Sequence, residues 1–446
     1  MKRLNTRGST WSGLRDLLLF VLGVALLAAA YGYTAALNSW FPKRYIDQAL
    51  LMVEELQAKL GWKYPWYYQK VGNLPAMTLY QPGKMAPGLT LITGLGSENH
   101  PEARVIDSAG KVYHRWSINW FELWPDATHI PPFSRPVALP GPSIHGVMIA
   151  ENGDLVFNLE RAGLFRLDAC GHVRWKLPRM THHALFRDED GNFWVPDLKK
   201  GKMHDPRLPG YVDGANDYML LKVSPDGKIM KEWRVFDLLL NNGLESYLYI
   251  TSQDNDDAHM SGDTLHMNDA EVFPRSLAPG LFRPGDVMIS LRNINMVLVF
   301  DPATGKARHI FNGPFIRQHD PDFVDGDSIS VFDNYSQTRE TPQQRSRILQ
   351  LYADGRPARI LFEGSKAHPF FSNIMGKHQA LANGNRLLTE AANGRALEIN
   401  AAGNPVWEYR NFVHTGVVGL MDEAQRLPLF MNPEFFAKAR ARCSAR

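Results

Sequence analysis

An internal repeat whose units begin at histidine is what most constrains this chain. The clearest copies read "HGVMIAENGDLVFN...LFRLDACGHVRWKL" from His145 and "HHALFRDEDGNFWV...LLKVSPDGKIMKEWRV" from His182. Others start with "HMNDAEVF" at His266, "HDPDFVDGDSISVFDN" at His319 and "HQALANGNRLLTEAANGRALEINAAGNPVWEY" at His378. A weaker first copy, "PGLTLITG...ARVIDSAGKVYHRWSI", makes six. Within a copy, apolar runs are cut by Gly-Asp or Gly-Asn turns, so each supplies about four short strands. Such a unit, repeated, is the signature of a propeller blade rather than of a sandwich. The expected fold is all-β, a six-bladed β-propeller with an N-terminal transmembrane helix. The tryptophans at 116, 175, 233 and 407 fall late in their units, where they would pack between blades. Insertions at 200–217 and 236–262 would cover one mouth of the channel.

Ahead of the repeat, Lys2, Arg3, Arg7 and Arg15 precede "LLLFVLGVALLAAAYGYTAALNSWF", residues 17–41, which carries no charge. At about 1.5 Å per residue, a helix of this length crosses a hydrocarbon core of roughly 30 Å. The excess of basic residues on its N-terminal side leaves that end in the cytoplasm and exports the rest. A cleaved signal peptide is the rival reading, because "LLAAAYG" offers small residues for cleavage. The uncleaved anchor is favoured by the length of the apolar run. The expected organisation is a cytoplasmic stub and anchor at 1–42, a helical or irregular segment at 43–86, the propeller at 87–420, and a tail with a short helix at 421–446. With 21% charged residues and a net charge of only +3, nothing points to a nucleic-acid partner.

In a propeller the first strand of every blade lines the channel, so residues at one phase of the repeat converge on the axis. His145, His183, His266, His319 and His378 stand at or near the start of that strand and should meet at one mouth. Imidazoles so gathered could bind a transition metal. They could equally handle an anion, with a nucleophile and cationic donors that neutralise charge spread in the transition state. Arg292, in "ISLRNIN", supplies such a donor and argues against a pure metal site. His182 is expected to be an exposed neighbour of His183, and Asn334 to shape a turn. Cys170 and Cys443 have no metal or redox spacing near them, and a bridge between them stays open.

The order "HH" at 182–183, "LHMND" at 265–269, "SLRN" at 290–293, "QHD" at 318–320, "FDN" at 332–334 and "GNRLLTEAANGRALEINAAGNPVWEY" at 384–409 resembles the bacterial aryl-sulfate sulfotransferases over about 140–412. That resemblance implies a six-bladed periplasmic propeller that moves a sulfuryl group from an aryl sulfate to a phenol through a sulfated histidine. It implies no metal and no nucleotide or other cofactor. Motif by motif, His319 takes the nucleophile's place, His183 and His266 those of the supporting histidines, and Arg292 that of the sulfate-binding arginine. His378, Arg339 and Asn334 are assigned to substrate binding. With the anchor, it implies a single-pass protein of a bacterial inner membrane, its main domain in the periplasm, acting on small molecules by ping-pong transfer. The rivals are a non-catalytic envelope propeller that serves as scaffold or binding module, and a metal-dependent hydrolase.

Overall fold

The repeat folds because its turns are chemically specified. Asp107 accepts backbone N–H bonds from Ala109 and Lys111, Asp168 from Cys170 and His172, Asp188 from Asp190 and Asn192, and Asn400 from Ala402 and Asn404. Three residues after each of these stands a glycine with positive φ: Gly110, Gly171, Gly191 and Gly403. The side chain satisfies the turn's N–H groups and glycine takes the left-handed corner, so two apolar runs are returned on each other as a hairpin.

The computed structural model describes residues 9–38, 40–60, 62, 64–201, 203–250, 259–336 and 344–444. Two units separate, residues 1–63 with 131–138, and residues 64–130 with 139–446. The smaller unit holds a helix at Ser9–Asn38, whose stretch Gly13–Ala36 is long and apolar enough either to cross a membrane or to serve as a signal sequence. A second helix, Lys43–Lys59, leaves Ile46, Leu50, Val53 and Leu56 exposed.

The larger unit is a β-propeller. Among its described residues are six sheets of four or five antiparallel strands. Five follow the chain: Ile144–Leu177, Phe186–Arg234, Met267–Phe311, His319–Glu363 and Lys377–Arg410, the last widened by an outer strand, Met77–Leu79. The sixth joins the chain ends, with Met421–Arg426 pairing against Thr90–Leu95 ahead of Pro101–Ile106 and Val112–Ser117. This corrects the tail expected at 421–446, because its first six residues are the innermost strand of that closing sheet, and only then does the helix Pro433–Ser444 follow. Without that strand, the edge of Thr90–Leu95 would present unpaired backbone groups at the axis. The segment expected to be helical or irregular at 43–86 also adds strands at Tyr68–Lys70 and Met77–Leu79.

Middle strands such as Leu155–Leu159, Val287–Leu291 and Met296–Phe300 are buried throughout, which explains why their sequences are unbroken apolar runs rather than alternating ones. Outer strands such as Val173–Leu177 are largely exposed. From these outer strands the repeated tryptophans reach across to the next sheet. The indole N–H of Trp116 donates to Asp168 O (2.9 Å), that of Trp175 to Pro225 O (3.0 Å) and that of Trp233 to Pro302 O (3.1 Å). That of Trp407 donates to Ser108 O (2.9 Å) and so ties the last sheet to the closing one.

Of the insertions, 200–217 contributes a strand, Tyr211–Ala215, that pairs in parallel with Met260–Gly262. The other contributes a helix at Val235–Leu240 and a tighter turn at Glu245–Tyr249. Cys170, for which a bridge stayed open, is exposed and disulfide-bonded.

The inter-sheet tryptophans differ in burial, Trp407 being fully buried and Trp175 half-buried. Trp407→Ala should therefore cost about 3–5 kcal/mol of unfolding free energy and Trp175→Ala clearly less. Urea titration of both variants checks this, and equal losses would mean that the closing contact has no special weight.

Candidate functional site

The innermost strands of four sheets carry a bulge at the same end. Ile144 faces Leu159 and Gly146 faces Asn158, which leaves His145 as an extra residue. Met267 faces Leu291 and Asp269 faces Ser290, leaving Asn268. Met421 faces Gly94 and Glu423 faces Thr93, leaving Asp422. Between the pairs His319–Phe332 and Asp322–Ser330 there is again one residue too many on the inner strand. A bulge bends the strand and re-aims the side chain at its extra position. His145, Asn268 and Asp422 all line one small cavity, together with His183, His319, Asp320 and Lys377.

Backbone strain gathers at the same end. His183, His266, Asp320 and Met375 have φ values of 54°, 52°, 50° and 54°, a left-handed conformation that costs a non-glycine residue of order 1–3 kcal/mol. Such strain persists only where surrounding contacts hold it, and here the His183 and Met375 carbonyls accept from Asn158 and Asn334, the His266 carbonyl from the Arg292 N–H, and Asp320 pairs with Lys377 and His378.

His145, His183, His266 and His319 meet, as the repeat phase implies. The ring centroid of His183 lies 4.5 Å from that of His145, 4.9 Å from that of His266 and 6.2 Å from that of His319. His183 Nε2 is 3.2 Å from His266 Nε2, and its Nδ1 is 2.8 Å from His182 Nδ1. His266 Nδ1 pairs with the Asp263 carboxylate, which also accepts from the Tyr218 hydroxyl at 2.6 Å. His182, expected to be exposed, is buried and belongs to this chain of rings.

The state of His319 follows from one amide. Asn334 Nδ2 donates to Met375 O at 2.6 Å and to Ser372 O at 2.9 Å, so its Oδ1 must be the atom 2.7 Å from His319 Nδ1. An amide oxygen only accepts, which puts the ring proton on Nδ1 and a lone pair on Nε2. Nε2 is buried and, among the described residues, has no hydrogen-bond partner. Burial first, and then the nearby Arg292 guanidinium, hold His319 well below the ordinary histidine pKa, so the ring is neutral at physiological pH. Asn334 therefore positions His319, a role its sequence context does not suggest.

Arg292 follows its strand at Val287–Leu291, its N–H bonded to His266 O at 3.0 Å and its Nε donating to Asn293 Oδ1 at 3.2 Å. Arg161 and Arg317 interact electrostatically with it, and Lys200 with Arg161, giving this end of the channel a cationic rim. Only Arg292 could be singled out from sequence, because Arg161 and Arg317 belong to no repeated motif.

His378 does not join the cluster. It lies deeper, with Nδ1 2.8 Å from Asp320 Oδ2 and Nε2 2.8 Å from Ser330 Oγ. The left-handed residue that opens its strand is Met375, three positions earlier, so the repeat phase at this copy does not fall on the histidine. Arg339, expected to touch substrate, lies outside the described residues. Below the histidines opens a second cavity, of about 360 Å³, lined by Asp269, Glu271, Asp320, Asp322 and Glu423, with Lys377 bridging Asp320 at 2.7 Å and Asp269 at 3.2 Å.

Two groups of donors are close enough to share an ion, His145–Glu160–His183 and Asp320–Asp322–His378. In the first, His145 Nδ1 stands 2.7 Å from Glu160 Oε2. Although burial acts against charge on both, the pairing raises the histidine pKa and lowers that of the glutamate. In the second, Asp320 holds His378 at 2.8 Å. In each group a histidine already forms an ion pair with a carboxylate.

Nitrogen NMR of the labelled protein should find His319 as the neutral Nδ1–H tautomer throughout the range from pH 6 to 9. A ring that titrates near the ordinary histidine pKa, or that carries its proton on Nε2, would contradict this account.

The arylsulfotransferase (ASST) family profile matches residues 146–412. No curated protein matches the chain by sequence. Among solved structures, a protein of unknown function from Bacteroides caccae is similar at 12% identity, with a TM-score of 0.48, over 76% of this chain and 98% of that one. The Cps50 (Swd1) β-propeller domain of Myceliophteria thermophila is similar at 7% identity, with a TM-score of 0.39, over 77% and 89%. A virginiamycin B lyase from Staphylococcus aureus is similar at 12% identity, with a TM-score of 0.34, over 60% and 69%.

Proposed function

This chain belongs to the arylsulfotransferase (ASST) family, and we propose that it moves a sulfuryl group from an aryl sulfate to a phenol with His319 as the transient carrier. The observation that carries this reading is the His319 ring itself, neutral, fixed by Asn334, with an unshared Nε2 lone pair and no partner in a cavity beside Arg292.

In the first half-reaction Nε2 attacks sulfur in line. The S–O bond to the aryl group breaks, and its electron pair leaves on the phenolate, which is then protonated. Arg292 neutralises the charge spread over the sulfuryl oxygens, with His183 packed against the reacting ring and His266 against His183. In the second half-reaction a phenol gives up its proton, its oxygen attacks the sulfur of sulfo-histidine, and Nε2 recovers its lone pair. The cavity among the histidines is only about 20 Å³, room for a water-sized group, so the site must widen when the donor enters. The cationic rim of Arg161, Arg292 and Arg317 favours the anionic donor's approach from that side. We place the propeller in the periplasm and read Gly13–Ala36 as its anchor in the inner membrane, on the strength of that helix and the basic residues before it.

The full chain in detergent should release nitrophenolate from nitrophenyl sulfate in the presence of a phenol acceptor. It should do so equally with and without a chelator, and should carry added sulfuryl mass on the His319 peptide when the acceptor is omitted. His319→Asn should lower the rate roughly 10³-fold or more. No transfer from a folded protein across several donors and acceptors would sink the reading.

Asn334→Asp gives a second check. A carboxylate opposite Nδ1 favours the imidazolium, so the folded-state pKa of His319 rises and the lone pair is lost at neutral pH. Activity of this variant should be depressed near pH 7 and should recover as pH increases. A parallel loss at every pH would show that Asn334 acts on something other than the protonation of His319.

A further inference from the structure

We propose that Asp422 is the acid–base group of the transfer, protonating the departing phenolate and later accepting the proton of the incoming phenol. This rests on the sulfuryl-transfer reading and adds the residue that handles its proton.

Asp422 belongs to the closing strand Met421–Arg426, beyond the stretch that the family profile matches. It is the bulged residue of that strand, at the position that His145 and Asn268 hold in theirs, and it lines the same cavity as His183 and His319. It is 2% exposed, and among the described residues neither carboxylate oxygen has a well-formed hydrogen-bond partner, the Ile144 N–H acting on it only slightly against burial. A buried, unpaired carboxylate is expensive, and burial without partners is the arrangement that keeps a carboxyl group protonated. The charged groups that act on it are His145 from the neighbouring inner strand, Glu160, and Glu423 on its own strand, with Lys377 also lining the cavity. Burial outweighs the pull of His145 and pushes its pKa up to about 8, within the range where a carboxyl can both give a proton to a phenolate and take one from a phenol.

The proton balance is closed. In the first half-reaction Asp422 passes its proton to the phenolate oxygen and becomes a carboxylate. In the second it takes the acceptor's phenolic proton as that oxygen bonds to sulfur, so one proton cycles and no outside acid or base is needed.

The test compares the full chain with Asp422→Asn, an isosteric change that cannot donate an acidic proton, on two donors with the same acceptor. Phenyl sulfate, whose basic leaving group needs protonation, should lose roughly 10²–10⁴-fold. Nitrophenyl sulfate, whose phenolate leaves unaided, should show a distinctly smaller loss in the rate of forming the sulfated enzyme. Equal losses with both donors, or none with either, would overturn the proposal. Should the variant not fold, the unaltered protein decides. Its kcat/KM for phenyl sulfate should fall above about pH 8 while that for nitrophenyl sulfate does not, and coincident profiles would reject the role. If the unaltered protein transfers no sulfuryl group at all, the parent reading fails instead, an outcome that the nitrophenyl sulfate control identifies by itself.

Discussion

Buried asparagine amides tie neighbouring sheets together at the histidine-lined mouth, and much of the site hangs on them. Asn158 Nδ2 donates to His183 O at 2.8 Å, Asn268 Nδ2 to Gln318 O at 2.7 Å and Asn334 Nδ2 to Met375 O at 2.6 Å. Each bond runs from one sheet to the residue opening, or next to, the inner strand of another, where the backbone turns and the carbonyl would otherwise be left without a donor in the interior. The sheets approach so closely here that a Cβ on Gly146 would lie 2.5 Å from the His183 carbonyl. Space at the axis and the need to satisfy carbonyls thus fix the inner strands before any chemistry is considered. Asn334 does the same work as the others, and its remaining oxygen sets the tautomer of His319.

That double use explains what sequence could and could not reveal. The four histidines that cluster, His145, His183, His266 and His319, were legible because a repeat places equal phases at equal heights on the axis. The tryptophans were legible for the same reason, each reaching the next sheet from the last strand of its unit. His378 was misplaced because a phase counted from histidine to histidine ignores where the strand opens, and in its copy that is Met375. A single extra residue re-aims side chains between the faces of a strand, so bulges carry the information that periodicity alone lacks. Asn334 looked like turn chemistry because Asp-Asn after an apolar run usually is. Its inward bonds to Met375 and Ser372 are contacts with a segment some 40 residues away. Asp422 was hidden because ring closure borrows a strand from the far end of the chain, beyond the last recognisable copy.

The electrostatics divide the channel in two. At the mouth, Arg161, Arg292 and Arg317 lie near His183 and His319, which burial keeps neutral, and His145, which Glu160 favours as a cation. Beneath them Asp269, Glu271, Asp320, Asp322 and Glu423 share a cavity with Lys377 and His378. Burial pushes Asp269 up to about 6 and Glu423 up to about 7, so these carboxyls gain protons readily as pH falls.

A nucleophilic nitrogen beside an arginine faces opposed requirements. Under the proposed transfer, the guanidinium that would stabilise charge on sulfur also disfavours imidazolium, and that second effect is useful, because a protonated Nε2 could not attack. Burial acts in the same direction. The Asn334 hydrogen bond acts in the other, raising the basicity of the ring while spending the Nδ1 proton on an acceptor that bears no charge. Had the partner been a carboxylate, as Asp263 is for His266 and Asp320 for His378, the pair would favour a cation at the position where a lone pair is needed. The amide leaves His319 neutral with its lone pair on Nε2, whereas carboxylate partners act to raise His266 and His378, although burial still holds His266 below the ordinary histidine value.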